Sequence, residues 1–339
     1  MSSPSLRADW GADELEAVTA CPACGAVAGE YRYRQLHDQL EGVAGDWNLR
    51  DCAGCHSLFL DPRPAPQAIG KAYASYYTHA AAGSAYADDN GSSLLWKLAN
   101  GYMNARYGSH RTPALGAGRF LLPWMLPVRQ QLDFFYRHVP RRPGRLLDVG
   151  CGNGLFLLRA QAAGWDVTGL EPDPQAAAAA RAGGLEAQVG TLDAFQTDTP
   201  FDVVCASHVI EHVHDPARFV QQIAGLLRAD GTIWLATPNA QSIGHRRYGR
   251  AWRGLEPPRH LTIFSAQALR GLLEKAGFTA IRFHRRGRGA SYILHTSQEL
   301  AKRESIDIRP LSAGWVDLCA SLSARAGEEL IVSARRSRG

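Results

Sequence analysis

The chain has 339 residues, of which 45% are hydrophobic and 20% charged, with a formal net charge of +5. That length accommodates one large domain and a smaller one, and the apolar content suffices for a full core. No run approaches the ~18 apolar residues of a membrane span, and the N-terminus lacks the basic start and apolar centre of a secretory signal, so a cytoplasmic protein is expected. Much of the positive excess lies in two clusters, Arg246, Arg247, Arg250 and Arg253, then Arg282, Arg285, Arg286 and Arg288. Such clusters suit phosphates or acidic glycans, or simply form a solvated surface.

Residues 1–20 are polar. Cys21-Pro-Ala-Cys24-Gly and Cys52-Ala-Gly-Cys55-His then form two C-x-x-C pairs, with residues 25–51 between them. Each pair brings two thiolates to one turn, and two such turns make a tetrahedral four-cysteine zinc site. Gly25 and Gly54 are expected to let the backbone curl around the sulfurs. A redox motif and disulfides are the alternatives. Redox pairs normally come singly beside a βαβ unit, and stable disulfides do not suit a reducing cytosol, so structural zinc is the preferred reading. Residues 20–62 are expected to form this zinc ribbon, and the proline-rich run at 61–66 marks its boundary.

Residues 63–139 read as a mostly helical connecting or substrate-covering region. A short helix is expected at 67–77, ending in Tyr73, Tyr76 and Tyr77, then a loop at 79–93, then helices interrupted at Pro113, Pro123 and Pro127. The apolar stretch at 120–128 is expected to pack against the main domain, with a membrane-surface or substrate-covering element as the alternative.

From residue 140 onward the pattern alternates strand and helix, as a doubly wound parallel α/β sheet requires. Strands are expected at 145–149, 166–170, 185–189, 201–206 and 232–236, and helices at 154–163, 174–182 and 216–228. Pro174 and Pro216 suit first helical turns, and Asp230-Gly231 a stop before the fifth strand. A helix at 265–276 leads to late strands at 278–284 and 329–335. The most informative segment is 146–154, L-L-D-V-G-C-G-N-G: a strand, a turn with glycines at alternate positions, and a helix start. Glu171 follows about 20 residues later at the end of the second strand, where an acid can accept bonds from ribose hydroxyls. The dinucleotide fingerprint would need a glycine at Leu155, so it is not met. Asp148 suits a ligand carrying an ammonium and a sulfonium better than a pyrophosphate, because a carboxylate repels phosphate.

This segment resembles motif I of the class I S-adenosylmethionine-dependent methyltransferases, and the resemblance covers roughly residues 130–339. It implies a mostly parallel, seven-stranded Rossmann-like sheet over 140–339 with its last strand antiparallel, and S-adenosylmethionine as cofactor. It further implies a cofactor site of Asp148, Gly150, Gly152, Glu171, Thr191, Leu192 and His208, with Glu171 on the ribose and Thr191 and Leu192 beside the adenine. Direct contact from Asp193 is not expected, because Thr191 stands where many family members carry the acid.

The fourth strand delivers S-H-V-I-E-H (207–212) to its carboxyl end, so His208 is expected near the reacting methyl. It is the first candidate for a base acting on a hydroxyl acceptor, and His260 the second; a residue that merely shapes the cofactor pocket is the other reading of His208. The string also matches H-x-x-E-H, but that metalloprotease pattern needs one long helix, and here Asp215-Pro216 cuts the segment short. The charged, aromatic loop at 252–261 resembles the acceptor-side loop of bacterial methyltransferases that join a zinc ribbon to this domain in polysaccharide or natural-product pathways. Glu256, Arg259 and His260 are either residues that orient a sugar's hydroxyls or parts of a loop docked on the sheet edge. The leading function is O-methylation of a small molecule or glycan. An rRNA base methyltransferase with a zinc-ribbon module is the alternative, without the asparagine-proline-proline-aromatic motif after strand four; a non-catalytic cofactor-binding scaffold is the third class.

Overall fold

A computed structural model describes residues 10–73 and 93–338. Tyr76, Tyr77 and almost all of the loop expected at 79–93 lie outside these residues.

The N-terminal part is a small β unit: β1 (Leu15–Glu16), β2 (Tyr31–Leu36), β3 (Trp47–Asp51), β4 (Leu58–Leu60) and β5 (Arg63–Pro64), with β1 and β5 paired antiparallel. Strands β2, β3 and β4 form an antiparallel sheet whose Leu49, Leu58 and Leu60 are buried. Of the helix expected at 67–77, the described residues form a 3-10 turn, Ile69–Tyr73, and residues 74–77 lie outside them.

Helices α1 (Leu94–Tyr107), α2 (Gly118–Leu121) and α3 (Leu126–Phe135) follow. Pro123 lies in a 3-10 turn, Leu122–Trp124, and Pro127 in the first turn of α3, positions where a missing N–H leaves no helical bond unmade, so neither breaks the chain. The stretch at 120–128 does not pack inward as expected. Leu122 is buried, but Phe120, Leu121 and Trp124 are 63%, 51% and 86% exposed.

The main body is a seven-stranded sheet built from β6 (Arg145–Val149), β7 (Asp166–Glu171), β8 (Glu186–Val189), β9 (Phe201–Ser207), β10 (Leu227–Pro238), β12 (Phe278–His284) and β13 (Glu329–Arg336). Its order is β12-β13-β10-β9-β6-β7-β8, parallel except that β13 runs antiparallel to both neighbours. Helices α4 (Leu155–Ala162), α5 (Pro174–Ala182), α6 (Pro216–Leu226) and α8 (Ala266–Lys275) connect it, while the short α7 (Ile243–Tyr248) follows β10. Asp173, Asp215 and Ser265 cap α5, α6 and α8 through their side-chain oxygens. Asp230-Gly231 does not stop the chain before β10; the strand begins at Leu227 and absorbs the turn residues as an irregularity in its pairing with β9. Two helices unexpected from the sequence, α9 (Ala290–Arg303) and α10 (Ala313–Leu322), lie between β12 and β13.

The ribbon is not an independent module. Strand β11 (Thr262–Ile263), from the loop after β10, pairs with β4 and becomes the fourth strand of the ribbon sheet. The Ser265 hydroxyl donates to the Cys55 carbonyl while its amide donates to Ser57 Oγ, so the cap of α8 is also the joint to the ribbon.

Candidate functional site

The sheet order reverses between β6 and β9, and the loops after these strands meet at their carboxyl ends, where ligands bind in such sheets. Gly150 and Gly152 both have positive φ, +69° and +53°. A Cβ on Gly150 would lie 2.5 Å from Val209 Cγ2, so the two loops can close on each other only without a side chain there. A Cβ on Gly152 would point into open space, the kind of gap a ligand fills.

Glu171 borders that gap. Its Oε2 accepts from the Gly152 amide at 2.8 Å and its Oε1 from the Asp173 amide at 3.0 Å. Burial raises its carboxyl pKa, opposed by these two amide bonds. Each oxygen keeps a second lone pair, the arrangement a ribose diol requires.

Asp148 serves differently from the expectation. It is fully buried, and its Oδ1 is taken by Arg137 while Oδ2 has no hydrogen-bond partner among the described residues. Burial pushes its carboxyl up to about 6, with the Arg137 charge pulling the other way. A carboxylate with no access to water needs a cation beside it, so the charge expected to attract a ligand's ammonium is spent on Arg137. That guanidinium also lies over Phe156 at 3.9 Å and Trp234 at 5.4 Å. Sequence reasoning missed Arg137, because nothing in Arg137-His138-Val139 announces a contact with the following strand.

Thr191 is exposed after β8 and Leu192 is buried beneath it. Asp193 turns outward, bonded to Arg218 at 2.7 Å and Gln222 at 2.8 Å.

His208 stands at the carboxyl end of β9 with φ +55°, its amide donating to Ala236 O. Its side chain is 41% exposed and bridges two carboxylates: Nδ1 is 3.2 Å from Glu211 Oε1, and Nε2 is 2.9 Å from Glu329 Oε1. Desolvation lowers its pKa, but the two acids more than reverse this and lift it to about 10. Burial raises the carboxyls of Glu211 and Glu329, yet both are held near 2, Glu211 chiefly by His208 and Glu329 by Arg286 and His208. In this arrangement the ring is an imidazolium that donates from both nitrogens and has no lone pair for an acceptor's proton. Glu329, which opens β13 opposite Pro238, and Arg286, stacked 3.6 Å over Phe134, were not foreseen. They are distant in sequence, and only the antiparallel last strand brings Glu329 to this edge.

The structure does not present Glu256, Arg259 and His260 to a substrate. They are 5%, 0% and 4% exposed. Arg259 forks onto Asp38 of the ribbon at 2.8 and 3.1 Å and bonds Glu256 at 3.0 Å. Burial of Glu256 is outweighed by His260, Arg253 and Arg259, which hold its carboxyl near 2. His260 donates Nδ1–H to the Gly254 carbonyl, and burial lowers its pKa to about 4. The loop is therefore docked between ribbon and sheet, the second of the two readings. The H-V-I-E-H string is likewise no helix. A short 3-10 turn, Ile210–His212, follows His208 and leaves His208 on Glu211 and Glu329 while His212 Nδ1 meets the Arg259 carbonyl.

The four cysteines converge as their spacing requires. Cys21, Cys24, Cys52 and Cys55 sulfurs all lie within 4.8 Å of one another, with Cys21–Cys55 at 3.7 Å and Cys24–Cys52 at 3.5 Å. A tetrahedron of sulfurs about 2.3 Å from zinc has edges of about 3.8 Å, so the donor set fits that ion. Gly25 takes the positive φ of the first knuckle, +82°, as expected. In the second it falls on His56, +59°, while Gly54 is needed for close packing on Ala26.

Residues 127–282 match the family model of a methyltransferase domain. Ubiquinone biosynthesis O-methyltransferases of Xylella fastidiosa and Xanthomonas campestris are 35% and 34% identical over 121 residues, 33% of this chain and 48% and 50% of theirs. The chain thus spans about half the length of the curated relatives it matches. Similar solved structures include a possible histamine N-methyltransferase of Thermotoga maritima (18% identity, 65% of this chain and 97% of that one, TM-score 0.43). Another is a phosphoethanolamine N-methyltransferase of Haemonchus contortus in complex with S-adenosylmethionine (17% identity, 71% and 60%, TM-score 0.44). Residues 127–282 are thus similar to a methyltransferase domain.

Proposed function

We propose that this chain transfers the methyl group of S-adenosylmethionine to a hydroxyl of a small molecule or glycan. The open space at Gly152 beside Glu171, next to the Gly150–Val209 contact that brings in the loop of His208, carries this reading. Glu171 takes the ribose, Gly150 and Gly152 let the backbone approach the cofactor's amino acid portion, and Thr191 and Leu192 flank the adenine. The cofactor supplies an activated methyl on a sulfonium. The transfer is an in-line displacement that discharges the sulfonium, so aligned reactants in a site with little water account for much of the acceleration.

His208 is the acceptor-side residue. Its two N–H groups are held by Glu211 and Glu329, so it offers the acceptor a positively charged ring, and it bonds the acceptor or takes its proton only if the acceptor displaces one of those carboxylates. The likeness to O-methyltransferases supports oxygen as the acceptor atom. Cys21, Cys24, Cys52 and Cys55 hold a structural zinc that fixes the ribbon.

The test is detection of S-adenosylhomocysteine with nucleotide-sugars, glycans, phenols and RNA offered separately. Release with a hydroxyl-bearing small molecule or glycan is the expected result. Release with RNA alone would replace this acceptor class by the nucleic-acid alternative.

A further inference from the structure

The turn after β9 carries a second side-chain cluster, on the far side of Glu211 from His208, that methyl transfer does not use. One carboxylate oxygen of Glu211 and one ring nitrogen each of His212 and His260 lie within 4.8 Å of one another. Glu211 is fully buried and His260 is 4% exposed.

The hydrogen bonds around this cluster fix which atoms face inward. His212 Nδ1 is 3.0 Å from the Arg259 carbonyl, with the Tyr73 hydroxyl also 3.0 Å away, and His260 Nδ1 is 2.9 Å from the Gly254 carbonyl. A carbonyl only accepts, so each Nδ1 carries the proton and each Nε2 keeps its lone pair. Metal-binding imidazoles are oriented in this way. Glu211 Oε1 is occupied by His208, whereas its Oε2 is buried and has no hydrogen-bond partner among the described residues. Glu256 Oε2, already paired with Arg253, stands 3.7 Å from His260 Nε2, too far for a hydrogen bond and acceptor-only in any case. Acceptors therefore converge on a buried point, and a cation is the complement they lack.

We propose that Glu211, His212 and His260 form a second metal site, for a divalent transition ion of the zinc class, separate from the four cysteines. Two neutral imidazoles and a carboxylate suit zinc or its first-row neighbours, whereas magnesium and calcium prefer all-oxygen shells. The site draws its ligands from both sides of a joint, Glu211 and His212 from the sheet edge and His260 from the loop that enters the ribbon through β11. Bound metal would tie that loop to the turn and fix the carboxylate that holds His208.

The test is a metal count, independent of methyl transfer and of the acceptor. Purified full-length protein is incubated with zinc, passed into metal-free buffer and analysed; two zinc ions per chain are expected. Glu211→Gln and His260→Gln should each leave one, with near-ultraviolet circular dichroism confirming a native fold. In wild type loaded with cobalt(II), thiolate-to-cobalt charge transfer reports the cysteine site. A second cobalt equivalent should bind without increasing that band. One metal per chain in the wild type with zinc, cobalt, manganese and iron(II) alike, or two retained in both folded variants, would overturn the proposal.

Discussion

Asp148 and Arg137 show how a buried charge reorganises its surroundings. The pair is nearly inaccessible, with side chains 0% and 12% exposed, so neither group can fall back on water. Removing one partner of a buried pair typically costs about 3–5 kcal/mol, because the other charge is left unmatched. Arg137→Ala should destabilise the protein by about that amount in chemical denaturation, and adding Asp148→Asn should recover part of the loss. Additive losses in the double variant would mean that the pair is not coupled. For His208, the expected effect of His208→Ala is on turnover. Losing the positively charged ring, and with it the anchor of Glu211 and Glu329, lowers kcat by about 10²–10³, with S-adenosylmethionine affinity close to wild type. A variant that binds the cofactor poorly yet turns over normally at saturation would make His208 a wall of the cofactor pocket. The sequence placed this residue at the right edge, since a histidine directly after a buried strand must emerge there. It did not show the protonation state, which depends on Glu329, more than a hundred residues away.

At the scale of elements, the strand, turn and helix from β6 to α4 were legible because backbone geometry alone demands them. Gly150 and Gly152 hold conformations that side chains disfavour, and Glu171 follows at the distance set by one helix and one strand. Gly152→Arg puts a long side chain into the gap and imposes an unfavourable φ. It should abolish S-adenosylmethionine binding measured by equilibrium dialysis, while far-ultraviolet circular dichroism stays native; retained binding would remove the gap from the cofactor site. Helices α9 and α10 were not legible. The buried stripe of α9, Ala290, Leu294, Ser297 and Ala301, has helical spacing but is built of small and polar residues apart from Leu294, and α10 exposes Trp315, Leu318 and Leu322, so neither announces its buried face by hydrophobicity. The segment at 120–128 failed the other way, since its hydrophobicity suggested burial and the structure leaves most of it at the surface.

For the whole molecule, the segment expected to end at residue 62 is joined in space to the sheet. Ribbon and sheet share strand β11, the Asp38–Arg259 fork and a continuous core, in which Cys21, Cys52 and Cys55 pack with Phe59, Phe264 and Leu269. None of these joints has a local signature, because each links residues about 200 positions apart. Breaking the four-cysteine cluster should therefore be felt beyond the ribbon. Cys52→Ser should lower the unfolding midpoint of the entire chain in one transition. A separate low-temperature transition for the ribbon, with the catalytic domain unchanged, would restore the picture of an autonomous module.

We infer that residues 127–282, which match a methyltransferase domain model, bind S-adenosylmethionine through Glu171. Calorimetric titration of wild type and Glu171→Ala with that cofactor tests it most directly. The wild type should bind one equivalent per chain, and the variant should lose about 2–3 kcal/mol, the worth of two charge-assisted bonds to the ribose. No binding by the wild type, or equal affinity in both, would contradict the account.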